Sequence, residues 1–143
     1  MRFRMAVDDD LDQVAGLLAE AELPPVDASQ SLANLIVGFD DSQLAGCVGL
    51  EVNARTGLVR SMVVAPDHRA NGLGRELFRS LLARAYELGL KELFLLTVDA
   101  EGFFAKLGFT AVPRDQAPGS IQDSREYREL CPETATLMRL SLA

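Results

Sequence analysis

LVRSMVVAPDHRANGLGRELFRSLLARAYELGL, residues 58–90, reads as an apolar strand, a turn, then an amphipathic helix. Gly72 and Gly74 stand at the start of that helix, where each glycine costs about 1 kcal/mol against alanine. A strand feeding through such a turn into a helix leaves main-chain N–H groups pointing outward. The helix dipole adds roughly half a positive charge there. With no Cβ at Gly72 or Gly74, a diphosphate can approach the main chain closely. Arg69 and Arg75 flank the turn as charged partners. The lost helix propensity is thus offset by an anion site suited to pyrophosphate.

Charge supports this reading. The net charge is −7, which argues against a nucleic-acid partner, because phosphate binding runs on excess Lys and Arg. Yet Arg60, Arg69, Arg75, Arg79 and Arg84 gather around the glycines against only Asp67 and Glu76. With 143 residues, 48% of them hydrophobic, the chain can close one core. No linker or repeat divides it, so residues 1–143 are expected to form a single domain. The N-terminus has no apolar leader core and no apolar run is long enough to span a bilayer, so a soluble cytoplasmic protein is expected. Cys47 and Cys131 are too few for a disulfide framework, and no metal-ligand spacing is present.

Around the opening stretch, residues 2–7 alternate as a strand. Asp9 or Asp10 is placed to cap a helix carrying Leu11, Val14, Ala15, Leu18 and Ala21 at helical spacing. A further short helix is expected over 26–32. Residues 35–40, 43–53 and 58–64 read as an antiparallel meander. In its third strand Leu58, Arg60, Met62 and Val64 would share one face, and Val59, Ser61 and Val63 the other. The helix over 71–88 carries the stripe Leu73, Leu77, Leu81, Ala85 and Leu88, with Gly89 as its C-cap. A strand at 91–97, a short helix ending at Gly108, a strand at 109–113, a helix over 118–130 and a strand at 133–142 complete the chain. The class is therefore α/β (α+β), with a mixed sheet.

The loop is not a Walker sequence, since no Gly-Lys-[Ser/Thr] occurs, and it lacks the first glycine of a dinucleotide fingerprint. Taken with AEGFFAKLGF at 100–109, the stretch resembles the GNAT N-acetyltransferase superfamily. Arg69, Gly72 and Gly74 match its [Arg/Gln]-x-x-Gly-x-[Gly/Ala] loop, and Ala100, Phe103, Gly108 and Phe109 match its second element. The resemblance covers nearly all of the chain in element order. It implies a central, mostly antiparallel sheet of about six to seven strands flanked by helices.

The ligand implied is acetyl-coenzyme A. Main-chain N–H groups of Asn71, Gly72, Leu73, Gly74 and Arg75 would hold its pyrophosphate beside Arg69. Met62, Val63 and Val64 would pair with the pantetheine amides. The Met62 N–H would polarise the thioester carbonyl. Thr97 stands where many relatives carry an Asn that contacts pantetheine, and Phe103 and Phe104 would line the coenzyme channel. Many relatives place a Tyr general acid at Phe104. Its loss costs about 10²–10⁴-fold at most, and less for a thiol leaving group with a pKa of about 8.5.

The acceptor amine must be neutral to attack. A lysine-like amine is neutral in roughly one molecule in a few thousand at pH 7, an α-amino group in roughly one in ten. An amino-acid-like acceptor fits a weak base better, and Glu51 is the candidate, acting through water. Arg60, Arg125 and Arg128 are candidate contacts to an anionic acceptor group. The C-terminal stretch resembles the acetyltransferases of bacterial arsenic-resistance operons and the acetyltransferase domain of N-acetylglutamate synthase. Three readings stay open at this point. They are direct transfer to a small amine in a ternary complex, transfer to a protein or peptide amine, and a CoA-binding sensor without turnover. Exposed strands pairing across a homodimer are a further expectation.

Overall fold

The apolar alternation over 35–64 folds as the expected meander in a computed structural model of the chain, which describes residues 1–23, 34–69, 71–122 and 134–142. Strands β1 (Arg2–Met5), β2 (Leu35–Asp40), β3 (Gln43–Asn53) and β4 (Thr56–Val64) pair in order, each antiparallel to the next. Helix α1 (Leu11–Glu20) joins β1 to the meander. Helix α2 (Leu73–Glu87) then crosses the sheet, so that β5 (Glu92–Thr97) lies parallel to β4. After α3 (Glu101–Lys106), β6 (Thr110–Val112) and the short α4 (Gly119–Gln122), β7 (Thr136–Ser141) inserts between β5 and β6. The seven-stranded order is β1-β2-β3-β4-β5-β7-β6. The expected mixed, mostly antiparallel sheet flanked by helices is present. No helix among the described residues is long and apolar enough to cross a membrane.

Helical periodicity buries one side of α2. Leu73, Leu77, Leu81 and Ala85 lie against the sheet together with Phe78. The stripe does not continue to Leu88, which is exposed. The helix ends at Glu87, and bonds from the N–H of Gly89 to the Tyr86 carbonyl and from Leu90 to Ala85, both 3.1 Å, turn Leu90 inward instead. On the other face α1 packs Val14, Leu17 and Leu18 against β2 and β3. Ala117 and Ile121 cover Leu58, Phe94 and Leu137. The expected helix at 26–32 lies outside the described residues, as do Arg125, Tyr127, Arg128, Leu130 and Cys131.

Strand β4 departs from the expected alternation. Leu58 faces α4 and Val59 faces α2, but beyond Arg60 the order inverts: Met62 and Val64 pack on the α2 side, and Val63 on the α1 side. The cause is a bulge at Ser61, whose φ is 56°. One extra residue in a strand flips every later side chain.

Asp10 also differs from expectation. It occupies the N-cap position of α1 but makes no forward cap bond. Instead its carboxylate accepts from both terminal nitrogens of Arg4, at 2.7 and 2.9 Å, and from the Val7 N–H at 2.8 Å. Arg4 in turn lies 5.0 Å over the Phe39 ring. The hydrogen bond from Arg4 lowers the Asp10 pKa below its ordinary value. A lowered carboxylate pKa adds stability that is complete above the unfolded value and lost as pH falls through the folded one. Thermal midpoints of wild type and Asp10→Asn should therefore differ by a constant amount above about pH 5. The gap should close as the pH falls further, and a gap that widens in acid would contradict this.

Candidate active site

The bulge opens the site. Opposite β3 the register of β4 steps from Gly49↔Arg60 to Cys47↔Val63, leaving Ser61 and Met62 facing Val48 alone. On the other side the ladder with β5 ends at Val59↔Leu95. On its other edge β5 pairs with β7 along its whole length, from Glu92↔Ser141 to Thr97↔Thr136. Residues 60–64 thus continue without β5, and a wedge opens between the two strands with Val59 and Leu95 at its apex.

Main-chain parity decides which groups look into the wedge. The Ala65 N–H donates to the Ala45 carbonyl at 2.7 Å, so Ala65 points its polar groups toward β3. Alternation then turns Val63 the same way, and Met62 and Val64 toward the wedge. A second observation agrees. The Cys47 thiol donates to the Ser61 carbonyl at 3.2 Å. Because a trans peptide sets its C=O and N–H in opposite directions, the Met62 N–H points away from β3. Burial pushes the Cys47 pKa up to about 12, so the thiol keeps the proton it donates. Arg69 closes the far end of the strand, donating from Nε to the Val64 carbonyl at 3.0 Å.

The turn after β4 brings the N-terminus of α2 to the mouth of the wedge. The N–H groups of Leu73, Gly74 and Arg75 belong to its first turn and have no acceptor inside the helix. The two glycines serve different ends. A Cβ on Gly72 would meet nothing within 4 Å, so what this position requires is its φ of 81°. A Cβ on Gly74 would lie 3.2 Å from Phe103 and 3.7 Å from Val64. Gly74 therefore lets Phe103 of α3 close over the end of β4, as well as leaving the main chain bare. Phe103 is half-buried there, whereas Phe104 is 7% exposed and stacks edge-to-face between Phe103 and Phe109 at 5.1 and 5.7 Å. Phe104 is thus a core aromatic behind Phe103, because α3 turns only one of the two adjacent rings outward. The Thr97 hydroxyl oxygen accepts from the Ala100 N–H at 3.0 Å, fixing the turn into α3.

Further along α2, Arg75, Arg79 and Lys106 rim an open groove of about 220 Å³ floored by Phe78, Leu82 and Leu107. Lys106 was not singled out by sequence, although its place one turn beyond Phe103 on α3 puts it beside α2. On the opposite face of the sheet, Arg60, a candidate contact to an anionic acceptor group, is closed off from solvent. Its side chain is 0% exposed and donates from Nη1 to Glu51 Oε1 at 2.8 Å, while Glu51 is 15% exposed. A charge at that depth needs a partner, and the β3–β4 register supplies one. His68 is held at 3.0 Å by Asp40 at the end of β2, away from the wedge. Among the described residues no group of three or more His, Cys, Asp or Glu side chains is arranged to hold a metal.

Residues 8–109 match the model of the "Acetyltransferase (GNAT) family". The chain belongs to the GNAT family. Among GNAT relatives, it is 32% identical over 145 residues to the amino-acid acetyltransferase of Ralstonia nicotianae, covering 95% of this chain and 32% of that one. The Salmonella typhi protein of the same name is 26% identical over 136 residues, covering 89% and 31%. The chain thus spans about a third of the length of these curated relatives. Among solved structures, the N-acetylglutamate synthase of Neisseria gonorrhoeae, complexed with coenzyme A and N-acetyl-glutamate, superposes with a TM-score of 0.85 at 21% identity, over 99% of this chain and 35% of that one. Rv2747 from Mycobacterium tuberculosis, in complex with CoA, reaches 0.84 at 22% identity over 100% of both chains. These likenesses show the GNAT fold.

The positive φ of Gly72 predicts an unusual order of stability. Gly72→Ala should lose about 1–2 kcal/mol despite the open space, because Ala resists the left-handed region. Gly72→Asn, though larger, should lose less, because Asn tolerates that region. Thermal denaturation of the two variants tests this, and an unaffected Gly72→Ala would contradict it.

Proposed function

We propose that this chain transfers an acetyl group from acetyl-CoA to the amine of a small, amino-acid-like acceptor by direct attack in a ternary complex. The observation that carries the reading is the alignment of the wedge with the N-terminus of α2. Outward main-chain groups of Met62 and Val64 lead straight to the unpaired N–H groups of Leu73, Gly74 and Arg75.

The fit to the coenzyme can be followed from end to end. The first turn of α2 and Arg69 receive the pyrophosphate. Asn71 and Gly72 lead into that turn, and the cationic groove at Arg75, Arg79 and Lys106 takes the nucleotide end. Met62 and Val64 pair with the pantetheine amides as a strand edge pairs with peptide, with Val63 holding the strand to β3. The Met62 N–H polarises the thioester carbonyl, where negative charge develops. Thr97 and Phe103 border the same cleft. Acetyl-CoA supplies the activated acyl group: the amine nitrogen bonds to the carbonyl carbon as the C–S bond breaks and the thiol departs.

The acceptor enters from the face opposite α2 and α3, beside Glu51, which keeps 15% of its side chain exposed. Glu51 receives the proton released by the amine, through water. No side-chain acid stands at Phe104, and the low pKa of a thiol makes that tolerable. The names of the relatives favour an amino acid as acceptor, with the arsenic-operon resemblance adding anionic analogues to the field. The core position of Phe104 and the engaged hydroxyl of Thr97 are what favour the second reading, a CoA-binding module without turnover.

Free-thiol release from acetyl-CoA should be followed against α-amino acids and anionic analogues, including glutamate and organoarsenic amino acids. One acceptor is expected to drive release. Gly72→Asp should bind acetyl-CoA about ten-fold or more weakly than Gly72→Asn, since it sets a carboxylate against the pyrophosphate. Tight binding of acetyl-CoA with no release for any amine, peptides included, would favour the sensor. Equal binding by the Asp and Asn variants would contradict the placement of the pyrophosphate.

A further inference from the structure

One peptide unit of β4 carries two duties. The register between β3 and β4 steps from Gly49↔Arg60 to Cys47↔Val63, so the Ser61–Met62 peptide lies in the gap between matched pairs. Ser61 holds a φ of 56° there, a conformation that persists only where its surroundings fix it. The Cys47 thiol supplies part of that fixing, donating to the Ser61 carbonyl at 3.2 Å. A trans peptide is planar, so whatever orients this carbonyl also orients the Met62 N–H on its other side. That N–H is the group placed to polarise the thioester.

Cys47 suits the task by its surroundings. It is 0% exposed, in the apolar cluster that holds Val37, Val63 and Ala65 on the α1 side of the sheet. At that depth no ligand reaches it. Burial pushes its pKa up to about 12, so the thiol stays protonated as a donor. A small apolar side chain would serve packing alone equally well. What the thiol adds is a proton aimed at Ser61.

We propose that Cys47 is a positioning residue for acetyl transfer: its thiol hydrogen bond sets the Ser61–Met62 peptide so that the Met62 N–H meets the thioester oxygen as negative charge develops on it. Cys47 touches neither coenzyme nor acceptor. Its hydrogen bond also makes the Met62 N–H a stronger donor, since chained hydrogen bonds polarise one another. The effect falls on the transition state more than on the bound coenzyme, because the charge that the N–H meets is greatest there. This inference rests on the acetyl-transfer reading above.

Cys47→Ala and Cys47→Val both remove the donor, the first leaving a small cavity and the second filling it, while Cys47→Ser keeps a donor. Should Cys47→Ala unfold, Cys47→Val carries the comparison. Chemistry is read as the single-turnover rate of transfer to the fastest α-amino acid of the acceptor panel, and binding as the Kd for CoA by calorimetry. The carbonyl stretch of bound, isotope-labelled acetyl-CoA, taken by infrared difference spectroscopy, reads the polarisation without any acceptor. Loss of the donor should slow transfer by about 3- to 30-fold, less than the ~10²–10³-fold cost of deleting an oxyanion donor, because the N–H is still present. The Kd for CoA and the acceptor KM should stay within about two-fold. The bound carbonyl should move from its wild-type frequency toward that in solution, and Cys47→Ser should recover most of both effects. An unchanged rate and carbonyl frequency in Cys47→Ala and Cys47→Val, or a Cys47→Ser no better than they are, would overturn the proposal. So would a rise in the Kd for CoA that matches the fall in rate, since the thiol would then merely hold β4 in place. A wild-type carbonyl that does not shift on binding would overturn it together with the Met62 contact. A shift that depends on the Cys47 donor, with no acceptor turned over, would sustain the positioning of Met62 and overturn the transfer reading alone.

Discussion

Ser61 holds a left-handed backbone, φ 56°, in the middle of a strand. Such a conformation costs a non-glycine residue of order 1–3 kcal/mol and persists only where the surroundings fix it. Here β3 does the fixing, through the ladder on either side of the bulge and through the Cys47 thiol on the Ser61 carbonyl. The distortion breaks the sheet in its middle. β4 leaves β5 after Val59, its side chains change faces, and the N–H groups of Met62 and Val64 are left on the edge that β5 no longer covers, the Val64 carbonyl being taken by Arg69. Beyond Val59 that edge of β4 has no β5 partner, and the cleft lies there.

The rest of the site is arranged around that break. α2 begins just after the freed strand, so a helix N-terminus and a strand edge lie side by side. Gly74 allows α3 to come within ring contact of both. The Phe103–Phe104–Phe109 stack then anchors α3 to the core. Binding groups on one side of the sheet and the Arg60–Glu51 pair on the other are separated only by the strand that carries the bulge. A ligand in the wedge and a second molecule on the opposite face would therefore meet at the apex.

Features governed by local periodicity were legible in the sequence. The α2 stripe, the glycine cap after it and the meander followed from spacings of three to four and of two residues. The loop at Arg69, Gly72 and Gly74 was legible because left-handed backbone and close approach select glycine. The bulge was not, since nothing about a serine marks a left-handed turn within a strand. The face assignment of Met62 and Val64 failed for that reason alone. Arg60 was misplaced for a related one, because its partner Glu51 becomes visible only once the β3–β4 register is known. Phe103 and Phe104 are adjacent and alike in sequence, and only the packing of α3 tells the outward ring from the inward one. The carbonyl that the buried Cys47 thiol serves was equally hidden, since it lies fourteen residues away across the sheet.

The central claim is that Met62 and Val64 offer their main chain to the coenzyme while Val63 and Ala65 are committed to β3. Residue-resolved amide hydrogen exchange, with and without CoA, separates these alternating positions directly. The N–H groups of Met62 and Val64 should exchange readily in the free protein and slow markedly with CoA bound, whereas those of Val63 and Ala65 should be slow in both states. Protection by CoA at Val63 and Ala65 but not at Met62 and Val64, or no change at any of the four, would contradict the account.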